Sequence, residues 1–297
     1  MPELPEVETI KRSLAPRLLG RRIEDFQAIW PGAVHGITGE RVRELVTGQV
    51  IGGLSRRGKY LLLELASGDR IVLHLRMTGQ LLLKPVGSPL ESHTRLVFNL
   101  SQGEELRFTD IRKFGGMDFL AAGCPEISGL RELGPEPLAD AFTTDILKGI
   151  LSGRKAPLKS VLLDQHSLAG VGNIYADEIL HSSGFLPMIP ACSLTEPEIA
   201  VLHAKIREVL AEGVSHRGTT KRNYVDGDGR PGEYQERLRV YGRAGKQCTF
   251  CEETIVRTVV GGRGTYYCPQ CQGEQGSRNR KGKPIFRKVF AVPEQRE

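Results

Sequence analysis

Residues 248–271 read CTFCEETIVRTVVGGRGTYYCPQC. Cys248 and Cys251 form one close pair, Cys268 and Cys271 another, with sixteen residues between them. Two C-x2-C turns joined by a hairpin-length spacer supply four thiolates in the arrangement that a tetrahedral zinc ion requires. The competing reading is two disulfides or free thiols. It suits an oxidising compartment, whereas this chain has no signal peptide and no membrane-length apolar run, and cytosolic thiols stay reduced. A four-cysteine site has no open position, so one structural zinc is expected here and no chemistry on it. The metal would hold residues 254–267, whose tract Gly261-Gly262-Arg263-Gly264-Thr265 puts an arginine between glycines at a rigid hairpin tip. Such an arginine suits a phosphate, and the chemistry must lie elsewhere.

The rest of the chain narrows the choice. Its 297 residues are enough for one large domain or two ordinary ones, and its formal net charge of +6 favours an anionic partner. Basic residues crowd at Arg21-Arg22, Arg56-Arg57-Lys59, Arg154-Lys155-Lys159 and Lys221-Arg222, each in or beside a Gly-, Pro- or Ser-containing stretch. That pattern reads as loops converging on a nucleic-acid backbone. Cys124 and Cys192 fall outside the zinc pattern and read as packing thiols.

Residues 2–18 read as a helix, with Val7, Ile10, Leu14 and Leu18 at helical spacing, Pro5 in the first turn and Glu3, Glu6 and Glu8 at the positive end of the dipole. Short, often alternating runs then predict strands at Val50–Leu54, Tyr60–Leu65, Ile71–Leu75, Gln80–Lys84, Arg95–Leu100, Leu106–Thr109 and Met117–Leu120. Many short strands with glycine turns indicate a sandwich or barrel. Gly134-Pro135-Glu136-Pro137 marks a linker, and beyond it Thr144–Leu151, Leu158–Leu163, Asn173–Ser182 and Glu196–Gly213 read as helices. Gly170-Val171-Gly172-Asn173 is a glycine turn at a helix start, either a plain N-cap or a phosphate seat. Residues 214–237 read as a long mobile loop.

The N-terminus, Met1-Pro2-Glu3-Leu4-Pro5-Glu6, allows two readings. It is a proline opening a helix beside dipole-matched acids, or, once Met1 is removed, a nucleophilic secondary amine. An α-amino group has a pKa of about 8, so a useful fraction is neutral near pH 7. Attack by a secondary amine on a sugar carbon gives an iminium directly, and Glu3 adjoins it as a proton carrier.

In addition to the cysteine hairpin, Met-Pro-Glu-Leu-Pro-Glu-Val-Glu-Thr at residues 1–9, Arg56-Arg57-Gly58-Lys59-Tyr60, His74-Leu75-Arg76-Met77, Asp110-Ile111-Arg112-Lys113-Phe114-Gly115, Gly134-Pro135-Glu136-Pro137, Gly170-Val171-Gly172-Asn173-Ile174-Tyr175 and Gly262-Arg263-Gly264-Thr265 occur in order. The set resembles the bacterial formamidopyrimidine-DNA glycosylases, over residue 1 to about residue 271. The resemblance implies an α+β multidomain fold. An N-terminal β-sandwich domain with flanking helices occupies 1–133. A helix–two-turn–helix DNA-binding domain with a lesion-capping loop occupies 134–237, a zinc-finger hairpin 238–271 and a basic tail 272–297. It also implies a cytoplasmic, monomeric enzyme that binds double-stranded DNA between its two main domains. Such an enzyme flips out an oxidised purine, cuts the glycosidic bond and then breaks the backbone by successive eliminations.

Carried over by position, Pro2 is the nucleophile, Glu3 the general acid–base with Glu6 in support, and Lys59 a proton donor to sugar or base, or a phosphate contact. His74, Lys159, Asn173, Tyr241 and Arg263 match residues gripping the strand around the flipped nucleotide, with Arg263 also at the chemistry. Met77, Arg112 and Phe114 match a void-filling triad in which the arginine pairs with the orphaned cytosine; by periodicity alone Met77 and Phe114 read as core. Three departures stand out. Lys221 and Asn223 occupy the capping loop where relatives usually carry an apolar residue and a threonine. Thr78 stands where some relatives carry glutamate, and the tail is longer than usual. Two alternatives remain at this point. Endonuclease VIII, for oxidised pyrimidines, typically has glycine where Leu4 stands and lacks the Met77, Arg112, Phe114 set. A noncatalytic zinc-ribbon binder of damaged DNA would need none of Pro2, Glu3 and Lys59.

Overall fold

The computed structural model describes residues 1–221 and 223–273. Arg222 and the basic tail from residue 274 lie outside the described residues. The described chain divides into two compact units. One comprises Met1–Ala139, Leu168–Val171 and Leu210–Arg237, and the other Asp140–Ser167, Gly172–Val209 and the chain from Leu238 onward.

The first unit begins with helix α1 (Leu4–Leu18), which buries Val7, Ile10, Leu14 and Leu18 along one face. Glu3 caps it, and a capping box pairs the Glu3 side chain with the Glu6 amide and the Glu6 carboxylate with the Glu3 amide. Strands β1 (Ile23–Ala28) and β2 (Val34–His35) and helix α2 (Gly39–Val46) follow. Next come β3 (Ile51–Arg57), β4 (Tyr60–Leu65), β5 (Arg70–His74), β6 (Gly79–Pro85), β7 (Thr94–Leu100), β8 (Glu104–Asp110) and β9 (Gly116–Leu120). They form two sheets, ordered β1-β7-β8-β6 and β2-β9-β5-β4-β3. All pairings are antiparallel except β2 with β9. Alternate residues of both sheets, among them Phe98, Phe108 and Leu81 from one and Leu61, Leu73 and Met117 from the other, share one core with α1. This is the expected sandwich. The outer face of the second sheet buries Leu62, Val72 and Leu120 against Leu130 of the short helix α3 (Ser128–Arg131).

The second unit contains α4 (Thr144–Leu151), α5 (Leu158–Leu163), α6 (Asn173–Ser183) and most of α7 (Glu196–Ser215). Strands β10 (Val256–Val260) and β11 (Arg263–Tyr267) complete it. The β10–β11 turn is Gly261-Gly262, both at positive φ (+55° and +74°), the type I′ geometry that matches strand twist and that glycine adopts without strain. Among the described residues no helix is long and apolar enough to cross a membrane.

Candidate active site and zinc centre

The catalytic candidates of the first unit converge on one short stretch of backbone. The amide of Leu4 donates to the Gly170 carbonyl at 3.0 Å, and the Lys59 ammonium donates to the next carbonyl, Val171, at 2.9 Å. Consecutive carbonyls thus bring the N-terminus of α1, with Pro2 and Glu3, beside Lys59. Gly170 permits this approach: its φ is +85°, and a Cβ there would come within 2.7 Å of the Leu4 side chain. Lys59 reaches its place from a two-residue β3–β4 turn, Gly58-Lys59, with Gly58 at φ +54°. Pro2 and Glu3 are buried and Lys59 is only 7% exposed, so charges here act in a poorly screened site.

Glu6 links this cluster to the segment expected to be the capping loop. One carboxylate oxygen accepts the Glu3 amide at 2.8 Å, and the other accepts the Thr219 amide at 2.6 Å. The buried Tyr224 hydroxyl donates to the Glu6 and Arg217 carbonyls, and burial followed by the Glu6 charge holds its pKa above the usual tyrosine range. Gly227 and Asp228 bond to Ser13 and Arg17 of α1, and Gln80 donates to the Asn223 carbonyl. The segment expected to be a mobile loop is therefore fastened along much of its length to α1 and β6, while Lys221 is exposed on it.

Met77, Arg112 and Phe114 lie on two turns that cross from one sheet to the other. Residues 75–78 join β5 to β6, and residues 111–115 join β8 to β9. Because β6 neighbours β8 and β5 neighbours β9, the two turns lie side by side at one end of the sandwich. Met77 is 43% and Phe114 55% exposed. That is the opposite of what periodicity alone implies for them. The Arg112 guanidinium stacks over the Phe114 ring at 4.6 Å.

His74, beside them, accepts the Arg76 amide on Nδ1 at 2.9 Å, so its proton sits on Nε2. Burial, then the positive charges of Arg76 and Lys59, push its pKa down to about 3. Between pH 3 and 6.5 the unfolded state therefore binds one proton more at this residue, and stability falls as pH drops through that window. The slope from this group is at most about 1.4 kcal/mol per pH unit. His74→Gln, which does not titrate, should flatten the decline in melting temperature between about pH 6.5 and 4.5; an unchanged slope would contradict the neutral assignment.

The basic clusters are less available than their density implied. Arg56 pairs with Glu8 and Glu136, and Arg57 with Glu136 and the carbonyls of Leu133 and Gly134. Arg21 pairs with Glu104, and Arg154 with Asp164.

In the second unit Lys159 departs most from expectation. It is 0% exposed, and its ammonium meets the Asp177 carboxylate at 2.8 Å, the Thr265 hydroxyl at 2.8 Å and the Gly264 carbonyl at 3.0 Å. An ammonium has three donors, so Lys159 is engaged behind the hairpin and offers nothing to a strand. Burial pushes the Asp177 pKa up to about 7 against the pull of Lys159. Asp177 also accepts the Tyr266 amide, and the buried Glu178 accepts the amides of Arg239, Val240 and Tyr241. Sequence reasoning missed both acids; their sign was two consecutive carboxylates flanked by Ile174, Tyr175 and Ala176 on one side and Ile179 and Leu180 on the other. Asn173, at the start of α6, donates to the Gly264 carbonyl at 2.9 Å, while its buried Oδ1 has no hydrogen-bond partner among the described residues. Arg263 is exposed next to the Gly-Gly turn, and Tyr241 packs edge-on against Tyr266 at 5.2 Å. Asn173 and Arg263 thus stand on neighbouring elements, α6 and β11.

The ligand atoms of Cys248, Cys251, Cys268 and Cys271 all lie within 4.8 Å of one another. Their closest sulfur pairs are 3.2 Å, 3.4 Å and 3.8 Å apart, too far for disulfides. Tetrahedral bonds of about 2.3 Å place sulfurs about 3.8 Å apart, so the set fits a zinc ion. His181 Nε2 lies 3.6 Å from the Cys248 sulfur, a geometry that steadies a thiolate ligand.

Comparison with known proteins agrees with this architecture. Residues 1–117 match the formamidopyrimidine-DNA glycosylase N-terminal domain, 133–224 its H2TH domain, and 245–273 a zinc finger found in FPG and IleRS. The chain belongs to the formamidopyrimidine-DNA glycosylase family. It is 46% identical over 272 residues to the Carboxydothermus hydrogenoformans member, covering 92% of this chain and 100% of that one. Among solved structures, the MutM (FPG) protein from Thermus thermophilus is 43% identical with a TM-score of 0.83, covering 91% of this chain and 98% of that one. A Lactococcus lactis FPG variant in complex with a Fapy-dG containing DNA is 35% identical with a TM-score of 0.85, covering 91% and 99%.

Proposed function

We propose that this protein is a bifunctional DNA glycosylase and abasic-site lyase of bacterial base-excision repair. It removes oxidised purines, 8-oxoguanine and formamidopyrimidines, from double-stranded DNA. The observation that carries this reading is the convergence of the α1 N-terminus and Lys59 on the adjacent Gly170 and Val171 carbonyls. Mere binding needs no buried glutamate and lysine gathered beside Pro2.

On this reading the Pro2 nitrogen, exposed by removal of Met1, attacks C1′ and the bond from C1′ to the base breaks. Glu3 moves protons between sugar and leaving base, and Glu6 holds the Glu3 backbone in place. The sugar ring opens to leave an iminium between Pro2 and C1′. Loss of a C2′ proton then expels the 3′ phosphate, and a second elimination expels the 5′ phosphate. Lys59 supplies positive charge and a proton donor beside the sugar. Arg263 meets a phosphate next to the lesion, with Asn173 and Tyr241 on the adjoining elements, and the neutral His74 donates from Nε2. Lys159 serves by fixing the carbonyl and hydroxyl of Gly264 and Thr265 behind Arg263. Residues 1–133 are then the catalytic domain, 134–237 carry the helices and the capping loop, with the loop stretch Leu210–Arg237 packed in the first unit, and 238–271 are the finger, which holds one zinc. The protein acts as a monomer in the cytoplasm.

Extruding a base costs a few kcal/mol of stacking and pairing. Met77 and Phe114 recover part of that by filling the duplex, and Arg112 meets the orphaned cytosine. Arg112→Ala should reduce the ratio of excision opposite cytosine to excision opposite adenine by about tenfold, the worth of one charge-assisted pairing; an unchanged ratio would contradict the role. The test of the whole reading is incision of duplexes carrying 8-oxoguanine opposite cytosine beside duplexes carrying an oxidised pyrimidine. Preference for the first supports it. Incision of the second alone would assign the protein to the endonuclease VIII chemistry, a substrate class worth including because a Lactococcus lactis relative is known in complex with oxidized pyrimidine containing DNA.

A further inference from the structure

The two turns that carry Met77, Arg112 and Phe114 are joined by a clasp. Asp110 ends β8 and is wholly buried. One of its carboxylate oxygens accepts the amides of Phe114 and Gly115, both at 2.8 Å. The other accepts the Thr78 hydroxyl and the Arg112 amide, the latter at 3.2 Å. The Thr78 hydroxyl oxygen in turn accepts the same Arg112 amide at 3.1 Å. Thr78 directly follows Met77, so one hydroxyl connects the Met77 turn to the Arg112–Phe114 turn.

Backbone geometry tightens the junction. A Cβ on Gly115 would lie 2.8 Å from the His74 carbonyl, and one on Gly79 would lie 2.4 Å from the Leu75 carbonyl. Each turn also holds a non-glycine residue in the left-handed region, Arg76 at φ 51° and Lys113 at φ 59°. Such residues persist only where their surroundings over-determine them. Here the restraints are the Arg76 amide on His74, the Lys113 ammonium over the Trp30 ring at 5.3 Å, and Asp110. Asp110 and Thr78 touch both turns.

We propose that Thr78 and Asp110 are positioning residues that make the two turns a single wedge. Met77 and the Arg112–Phe114 pair then enter and leave the duplex together, and pairing of Arg112 with the orphan base sets where Met77 sits. This rests on the triad role given under Proposed function. It gives Thr78 a purpose inside the protein: its hydroxyl donates to the Asp110 carboxylate, which an ionised glutamate could not do.

The test is Thr78→Val, which keeps the shape and removes the hydroxyl, with Thr78→Ser as the conservative variant and Asp110→Asn as a second break in the clasp. The measurements are kcat and KM for 8-oxoguanine opposite cytosine and opposite adenine. Strand cleavage at an abasic site in single-stranded DNA, where no duplex void exists, is the internal control. We expect Thr78→Val to lower kcat/KM opposite cytosine by about tenfold and the cytosine-to-adenine ratio by a similar factor, with single-strand cleavage unchanged. Thr78→Ser should restore the ratio, and Asp110→Asn should reproduce the loss. A parent-like ratio in Thr78→Val, or equal loss on the single-stranded substrate, would overturn the clasp. A parent enzyme that shows no cytosine preference would overturn the triad reading and the clasp with it.

Discussion

Glu3→Gln should bring base excision down by roughly 10²–10⁴-fold, the usual worth of a positioned general acid–base. The substitution separates chemistry from structure. The Glu3 side chain accepts the Glu6 amide in the capping box, and a glutamine oxygen can accept the same bond. Helix α1 and its contacts with Gly170 and Thr219 should therefore persist, and so should the melting temperature within a degree or two. Affinity for a duplex carrying a lesion should stay within a few-fold of the parent. Single-turnover excision of 8-oxoguanine measures the first quantity, and titration of a labelled duplex the second. Loss of both together would mean that Glu3 matters through the cap alone.

Removal of the metal gives the second large effect. A two-stranded hairpin is at best marginally stable on its own, and β10–β11 is such a hairpin, with a small core of Val240, Ile255, Cys248 and Cys268. Structural zinc contributes on the order of 10 kcal/mol of binding energy to such modules. Two sets of anchors hold the hairpin. Lys159, Asn173 and Asp177 grip the tip side through Gly264, Thr265 and Tyr266, while the four cysteine sulfurs, clustered to suit a zinc ion, stand at the base. Cys248→Ala, or chelation of the zinc, should release the base, loosen Arg263 and weaken duplex binding by at least about 10²-fold, two decades being a small part of that energy. Parent-like affinity after verified zinc loss would mean that the buried anchors from α5 and α6 suffice.

The residues of the site differ in how openly the chain displays them. The cysteine pairs were legible because ligand spacing is local. So were α1 and seven strands, since each carries its own periodicity. Strand β1 was not, because a register shift between Ile23 and Asp25 breaks its alternation. Helix α2 was not, because it buries only Val42 and Val46. The basic clusters misled for a different reason. Charge density is local, but what a charge meets is not. Glu136 answers Arg56 and Arg57 from some eighty positions away, and Asp177 answers Lys159 from another helix. Lys159 therefore reads as a phosphate contact in sequence and is a buried strut in the fold. The exposure of Met77 and Phe114 likewise follows from two crossing turns lying side by side, which no single segment reveals.

The central claim is that the amine of Pro2 attacks the sugar. Its most direct measurement is borohydride reduction during turnover of a duplex carrying 8-oxoguanine opposite cytosine, followed by peptide mapping of any adduct, on protein whose intact mass shows Met1 removed. A stable covalent complex with the DNA fragment attached to Pro2 is expected. Excision with no trapped complex, or a complex mapped to Lys59 or any other lysine, would contradict it.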